Sequence, residues 1–351
     1  MSKLFLSCDL TGSTAFKQRP RSSGDTPWQK VFLQFYREFP QRLYAQQRQL
    51  DADNLQFDLW KAVGDELIFT CDVQSETDIC VAVDVWIATL RAYKASNLQA
   101  EDRSGLGVKG GIFLGTFPGP DSESTIPLKP GTESSGMDVV TLNSLALTAG
   151  DRDTSLYLFD YFGPSIDTGF RVTSKCTARY LTLSVEVAYA LALMHPVPHS
   201  DGKYCYPDLK LMDSIELKGV WGGRDYPVFA IDLDHDDAVH LAMSKFLPTT
   251  ASPEDVQKLC EACYTSDGWP FLMYLPDSAL GRFAIPPVDP LEGLTERAPD
   301  PLSGGETVPD EASDTVKYVP SQVPTRPVDG SGRTDERRTV RMLTSPSTAL
   351  Q

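Results

Sequence analysis

Three stretches of this sequence carry residue types suited to phosphate chemistry. In Cys8-Asp9-Leu10-Thr11-Gly12-Ser13-Thr14 an apolar run ends on an acid, and small or hydroxylated residues follow it. A carboxylate at a strand end can hold a hard cation, and the free N–H groups of a Gly/Ser/Thr turn entering a helix can cradle phosphate oxygens. The same residues also suit a helix N-cap, where Asp, Ser and Thr are favoured. In Trp60-Lys61-Ala62-Val63-Gly64-Asp65-Glu66 the Gly-Asp pair separates two apolar runs and reads as the tip of a hairpin. Asp and Gly are ordinary turn residues, so the weight of Asp65 comes from Asp9. Two carboxylates on neighbouring strands are what two Mg²⁺ or Mn²⁺ ions bridging a triphosphate require. The third stretch runs from Asp160 to Arg171. Asp167 and Arg171, four apart on a predicted helix, share one face. There the guanidinium could stabilise charge on a reacting phosphate, or simply pair with its neighbour as a surface ion pair.

The elements that must position these groups alternate between apolar periods of about 2 and about 3.6. Lys3 to Cys8 reads as a strand running into Asp9, and Trp28 to Leu50, with apolar residues three and four apart, as a long amphipathic helix. Phe57 to Val63 and Glu66 to Cys71 form the hairpin, Thr77 to Ala95 a second helix and Leu106 to Thr116 another long strand. Pro118 to about Ser155 reads as an irregular insertion with a helical stretch at Val139 to Leu147. Leu156 to Phe159 (strand), Ser165 to Lys175 (helix), Tyr180 to Leu183 (strand) and Val185 to Met194 (helix) follow, and Ser214 to Lys218 with Tyr226 to Ile231 closes as a hairpin. This is βαββαβ with additions, an α+β class of the ferredoxin-like kind. In that arrangement the first strand is expected between the second and third, bringing Asp9 and Asp65 to one edge.

Composition narrows the partners. The chain has 351 residues, 32 Lys+Arg against 48 Asp+Glu and a net charge of −16, which repels a nucleic-acid backbone. The most apolar windows, Ile79 to Leu90 and Val185 to Met194, fall short of the roughly 18 residues that span a membrane. Seven scattered cysteines and an acid by the ninth residue, with no secretory pattern ahead of it, read as a reduced cytoplasmic protein. Residues 286–351 hold 10 of the 26 prolines and a single aromatic, Tyr318, and read as a disordered tail. The tail's Arg333, Arg337, Arg338 and Arg341 read as a solvated charge run, with a docking arm as the alternative. Between the main domain, 1–232, and this tail lies a small segment, 233–285, with His240 and Cys260-Glu-Ala-Cys263. Its Cys-x₂-Cys reads first as buried packing on an apolar helix, with half of a zinc ligand set as the alternative.

The three clusters, in this order and spacing, resemble the class III nucleotidyl cyclases, the adenylate and guanylate cyclase homology domain, over roughly residues 1–232. The resemblance implies that two divalent ions, Mn²⁺ or Mg²⁺, are held by Asp9, Asp65 and the backbone carbonyl of Leu10. It implies that Thr11, Gly12, Ser13, Thr14 and Lys218 bind the triphosphate. The family's transition-state asparagine and arginine fall on Asp167 and Arg171, and its base-reading lysine and acid on Lys61 and Asp160. Glu216-Leu217-Lys218-Gly219-Val220 is similar to the family's last Leu-Lys-Gly hairpin. Asp167 stands where an amide is usual, and Val220 where many members keep a second phosphate-binding lysine; Lys218 or Arg224 could take that role. The resemblance further implies a homodimer whose two sites each draw on both subunits.

Base choice is not fixed by the pair. Lys61 offers a donor and Asp160 an acceptor, and adenine, guanine, cytosine and uracil each present an acceptor beside a donor. Tyr44, Phe57 or Trp60 could narrow the pocket or belong to the core. The stand-alone form, the Ser-Cys-Asp-Leu-Thr-Gly-Ser-Thr run and the long insertion look most like the pyrimidine cyclases of the Pycsar antiphage system. That likeness implies UTP as substrate, with CTP and then ATP as alternatives. It implies a cyclic product that activates a partner effector, and a sensor role for 233–285. A non-catalytic nucleotide-binding module on the same scaffold is the alternative of another class.

Overall fold

A computed structural model describes residues 1–20, 27–133, 136–149, 152–194, 209–234, 237–244 and 251–294. Within the compact unit Met1–Pro299 the chain opens with β1 (Ser2–Thr11), α1 (Ser13–Gln18), α2 (Trp28–Gln49), β2 (Phe57–Val63), β3 (Glu66–Val73) and α3 (Glu76–Asn97). It continues with β4 (Gly107–Lys109), β5 (Gly111–Thr116), β6 (Ser122–Pro127), α4 (Val139–Thr148), β7 (Tyr157–Phe162), α5 (Pro164–Thr173), β8 (Tyr180–Leu183) and α6 (Val185–Met194). The last elements are β9 (Leu209–Glu216), β10 (Asp225–Asp232), α7 (Ala238–Ser244) and α8 (Pro253–Tyr264).

The architecture is α+β, and the order β2-β3-β1-β5 at the heart of the main sheet is that of a ferredoxin-like βαββαβ unit. The sheet continues through β8, β10 and β9, with β4 paired to β1. The first strand therefore lies between β3 and β5, not between the second and third strands as the sequence suggested. The hairpin places β2 at the sheet edge and turns β3 inward against β1, and this still brings Asp9 beside Glu66 in register. The expected long strand at 106–116 is broken at Gly110. A Cβ there would meet the Ser7 carbonyl oxygen at 2.0 Å, so only glycine lets the backbones approach so closely.

Alternation along β1 sorts its side chains. Leu4, Leu6, Cys8 and Leu10 enter the large core formed with α2, α3, α6 and α8, whereas Phe5 enters a smaller aromatic cluster with Phe113, Phe117 and Ile166. Helix α5 covers that second face closely, because Gly169 sits directly on the Phe113 ring. The insertion is more regular than expected: β6 pairs antiparallel with β7 as a two-stranded ribbon, and α4 covers the expected helical stretch. Residues 233–285 contribute Val256, Cys260, Cys263, Phe271, Met273, Leu275 and Phe283 to the large core. The described part of the proline-rich tail, 286–294, runs past Gly119, with the Val288 carbonyl against it. The rest of the tail, with Arg333, Arg337, Arg338 and Arg341, lies outside the described residues, as does His235. Among the described residues no helix is long and apolar enough to cross a membrane.

Candidate functional site

The end of β1 and the β2–β3 tip make one cavity of about 720 Å³, lined by Asp9, Leu10, Thr11, Gly12, Ser13, Thr14, Asp65 and Lys109 among others. The Leu10 N–H donates to the Asp65 carbonyl at 3.3 Å, and Tyr36 of α2 donates its hydroxyl to the Gly64 carbonyl, which pins the hairpin tip from below. Gly12 turns the chain with φ 75°, and a Cβ on it would lie 2.2 Å from the Gly105 carbonyl oxygen. The turn can be made only by glycine.

Both acids of this cavity face lysines. Lys109 Nζ lies 3.1 Å from Asp9, and Lys17 Nζ lies 3.5 Å from Asp65. Burial raises the Asp9 pKa above the ordinary carboxylate value and Lys109 draws it back down, while Asp65 adds to the rise. Burial and Asp9 likewise raise Glu66. Asp9 and Asp65 line the cavity, Glu66 stands opposite Asp9 in register on β3, and two lysines offset the negative charge. The all-oxygen donor set of Asp9, Asp65 and the Leu10 backbone suits hard divalent ions, and the lysines already standing on both acids mark where positive charge is needed. By residue type Asp9 and Asp65 suit the metal pair that the resemblance implies. Neither lysine was singled out from the sequence. The only available signal for Lys109 was its place in Gly107-Val108-Lys109-Gly110-Gly111, beside β1.

Asp167 and Arg171 line a different cavity of about 600 Å³, together with Gly163, Val220, Trp221, Gly268 and Pro270. They do not pair side chain to side chain; the Arg171 guanidinium donates to the Asp167 backbone carbonyl at 2.6 Å. Thr11–Thr14 line the first cavity, whereas Gly219 and Val220, which follow exposed Lys218, line the second. The expected triphosphate residues are thus divided between two places. Val220 itself is buried at 5% exposure. Arg224 lies over the Trp221 ring at 5.4 Å. Trp221, Gly268 and Pro270 carry no motif that reading the sequence could single out.

Lys61 and Asp160 form an ion pair at 2.7 Å that links β2 to β7. The Lys61 ammonium lies 3.8 Å from the Trp60 ring centroid. Trp60 packs edge-on to Phe5 and Tyr161, Phe57 enters the large core, and Tyr44 is 61% exposed on α2. Of the three candidates for narrowing a base pocket, Trp60 is the one in contact with the Lys61–Asp160 pair. Cys260 and Cys263 both face the core beneath α6. Burial pushes the Cys260 thiol well up and the Cys263 thiol up to about 11. Among the described residues no cluster of three His, Cys, Asp or Glu side chains has metal-binding geometry.

No protein-family model and no curated protein matches the chain. Among solved structures the chain is similar to the adenylyl cyclase CyaB from P. aeruginosa, at 14% identity and TM-score 0.42 over 66% of this chain and 93% of that one. It is similar to the guanylate cyclase domain of RhGC from Catenaria anguillulae in complex with GTP, at 12% identity and TM-score 0.39 over 66% and 96%. It is also similar to an adenylate/guanylate cyclase/hydrolase from Silicibacter pomeroyi, at 11% identity and TM-score 0.39 over 66% and 96%.

Proposed function

We propose that the protein is a nucleotide cyclase that converts a nucleoside triphosphate, UTP in preference to CTP or ATP, to its 3′,5′-cyclic monophosphate and pyrophosphate. The observation that carries this reading is the division of the chemistry between two cavities. The acids and the Gly12 turn lie in one and Asp167 and Arg171 in the other, as a site completed across a homodimer requires. Asp9, Asp65 and the Leu10 carbonyl would hold two divalent ions, Mn²⁺ or Mg²⁺, which supply activation of the ribose 3′-hydroxyl and neutralise the triphosphate. The turn Thr11–Thr14 receives phosphate oxygens through its N–H groups, and Lys218 meets the chain from the α5 side. Arg171 stands against charge developing on the α-phosphate, with Asp167 orienting the ribose beside it. Lys61 and Asp160 read the base edge by exchanging their mutual ion pair for a donor and an acceptor on the ligand. In this reading the enzyme is cytoplasmic, and its cyclic pyrimidine product is a messenger for a separate effector in antiphage defence.

A specific observation favours the second reading, a nucleotide-binding module without turnover: Asp167 accepts where an amide would donate, and buried Val220 offers phosphate nothing. One experiment separates the two. Purified protein is incubated with ATP, GTP, CTP and UTP in turn, with Mn²⁺ or Mg²⁺, and products are identified by mass spectrometry beside Asp65→Ala. A cyclic pyrimidine lost in Asp65→Ala is expected. A cyclic purine overturns the base assignment, and nucleotide binding without any product overturns catalysis.

A further inference from the structure

The α5 cavity depends on where one ten-residue helix sits, and the residue that fixes it lies outside all three motifs. Helix α5 begins at Pro164 after Gly163, whose φ is 142°, and Gly163 has no side chain with which to cap the helix. The cap comes from 44 residues away: the Ser165 N–H donates to Asp121 Oδ1 at 2.9 Å. The other carboxylate oxygen, Oδ2, accepts the Thr116 N–H at 2.9 Å, so a single side chain ties the end of β5 to the start of α5. Asp121 is fully buried at 0% exposure. A Cβ on residue 163 would lie 2.4 Å from Oδ1 and 2.7 Å from the Asp121 Cα, so the glycine exists to admit this side chain. Burial raises the carboxyl's pKa, while the Ser165 hydroxyl, the Thr116 and Ser165 N–H groups that meet the two oxygens, and the Ile166 N–H favour the charged form against it.

The anchor is itself held. Thr116 Oγ1 donates its single proton to the Leu272 carbonyl at 2.8 Å, so in the 2.7 Å contact between the two hydroxyls Ser2 is the donor. Ser2 Oγ in turn accepts the Tyr274 N–H at 3.0 Å. A buried polar chain therefore runs from residues 272–274 through Ser2, Thr116 and Asp121 to the first turn of α5. The helix then carries Asp167 and Arg171 into the cavity that Gly268 and Pro270 help to wall.

We propose that Asp121 is a positioning residue for the Arg171 half of the site, acting by capping α5 from across the β5 turn and so setting where Asp167 and Arg171 stand. The inference rests on the cyclase reading for its catalytic consequence, but its structural core does not need turnover. Two measurements test it on the full chain. In hydrogen exchange, Asp121→Asn keeps the side-chain shape but replaces one acceptor oxygen by a donor. It should speed exchange of the 165–168 amides about tenfold or more and leave β1 and β3 unchanged. In kinetics, a helix displaced by a fraction of an ångström to an ångström should lower kcat by up to about a hundredfold with a small change in KM. Mixed with Asp65→Ala, the Asp121→Asn chain should regain one working site per dimer. Mixed with Arg171→Ala it should not. Gly163→Ala, which crowds Asp121 without removing it, should reproduce both effects and serves as the test if Asp121→Asn fails to fold. Unchanged exchange at 165–168 overturns the proposal even if the wild type turns nothing over. Rescue by Arg171→Ala in place of Asp65→Ala overturns it where turnover is present.

Discussion

The acid cavity draws most of its walls from residues 9–15 and the hairpin tip, whereas the α5 cavity gathers 162–171, 219–222, 268 and 270 from three separate parts of the chain. The first is made by local rules: a strand end, a glycine turn and a two-residue hairpin, each readable where it stands. The second exists only after the ribbon, the β9–β10 connection and the segment after α8 have packed around one helix. The acids are thus set by the backbone of two strands, and the arginine by tertiary packing. Damage far from the chemistry should reach the second cavity much more readily than the first.

The largest effect that tests this contrast is at the acids. Asp9→Ala or Asp65→Ala should each remove cyclase turnover by about a thousandfold or more while leaving the thermal midpoint near that of the wild type. Arg171→Ala should cost about 10²–10³ in kcat. Equal mixtures of Asp65→Ala and Arg171→Ala chains should recover activity that neither has alone, and a mixture as dead as its parts would remove the composite site. Next in size is Phe283→Ala. This side chain is 1% exposed in the core beneath α6, and its loss should destabilise the protein by about 3–5 kcal/mol. At temperatures where the variant is still folded, it should loosen hydrogen exchange around α5 before it affects the hairpin tip. Lys61→Ala and Asp160→Ala should lower base discrimination by about tenfold, measured as the ratio of kcat/KM for UTP and ATP.

The smallest effect is a pH dependence. Burial raises the Glu186 carboxyl to about 7 from near 4.5. The folded chain therefore keeps a proton that the unfolded chain releases, and stability falls as pH rises from about 4.5 to about 7. Glu186→Gln fixes the neutral form. It should be more stable than wild type at pH 8 and equal to it below about pH 4, as read from denaturant midpoints.

The same contrast governs what the sequence could disclose. Asp9, Gly12 and Asp65 stand in local surroundings that the sequence displays, Asp167 and Arg171 show there only their spacing of four on a helix, and helix α6 was read to the residue from its apolar run. The place of β1 was misread because pairing order is decided by which strand the hairpin turns inward, and no local pattern records that. The break at Gly110 was missed because it answers to the Ser7 carbonyl on another strand. Lys17, Lys109 and Asp121 were missed for a common reason. Each is an unremarkable polar residue whose meaning comes from a partner 44 or more residues away.

One consequence concerns how the chain is made. Its first strand occupies the middle of the sheet, and Ser2 waits for Thr116, 114 residues later, and for Tyr274, 272 residues later. Strand β1 can pair with β3 and β5 once residue 116 has emerged, but the hydrogen bond from Tyr274 to Ser2 can form only after nearly the whole described chain has been made. Such long-range closure predicts slow completion of the fold, with the Ser2–Thr116 end of the buried polar chain left open until synthesis has passed residue 274.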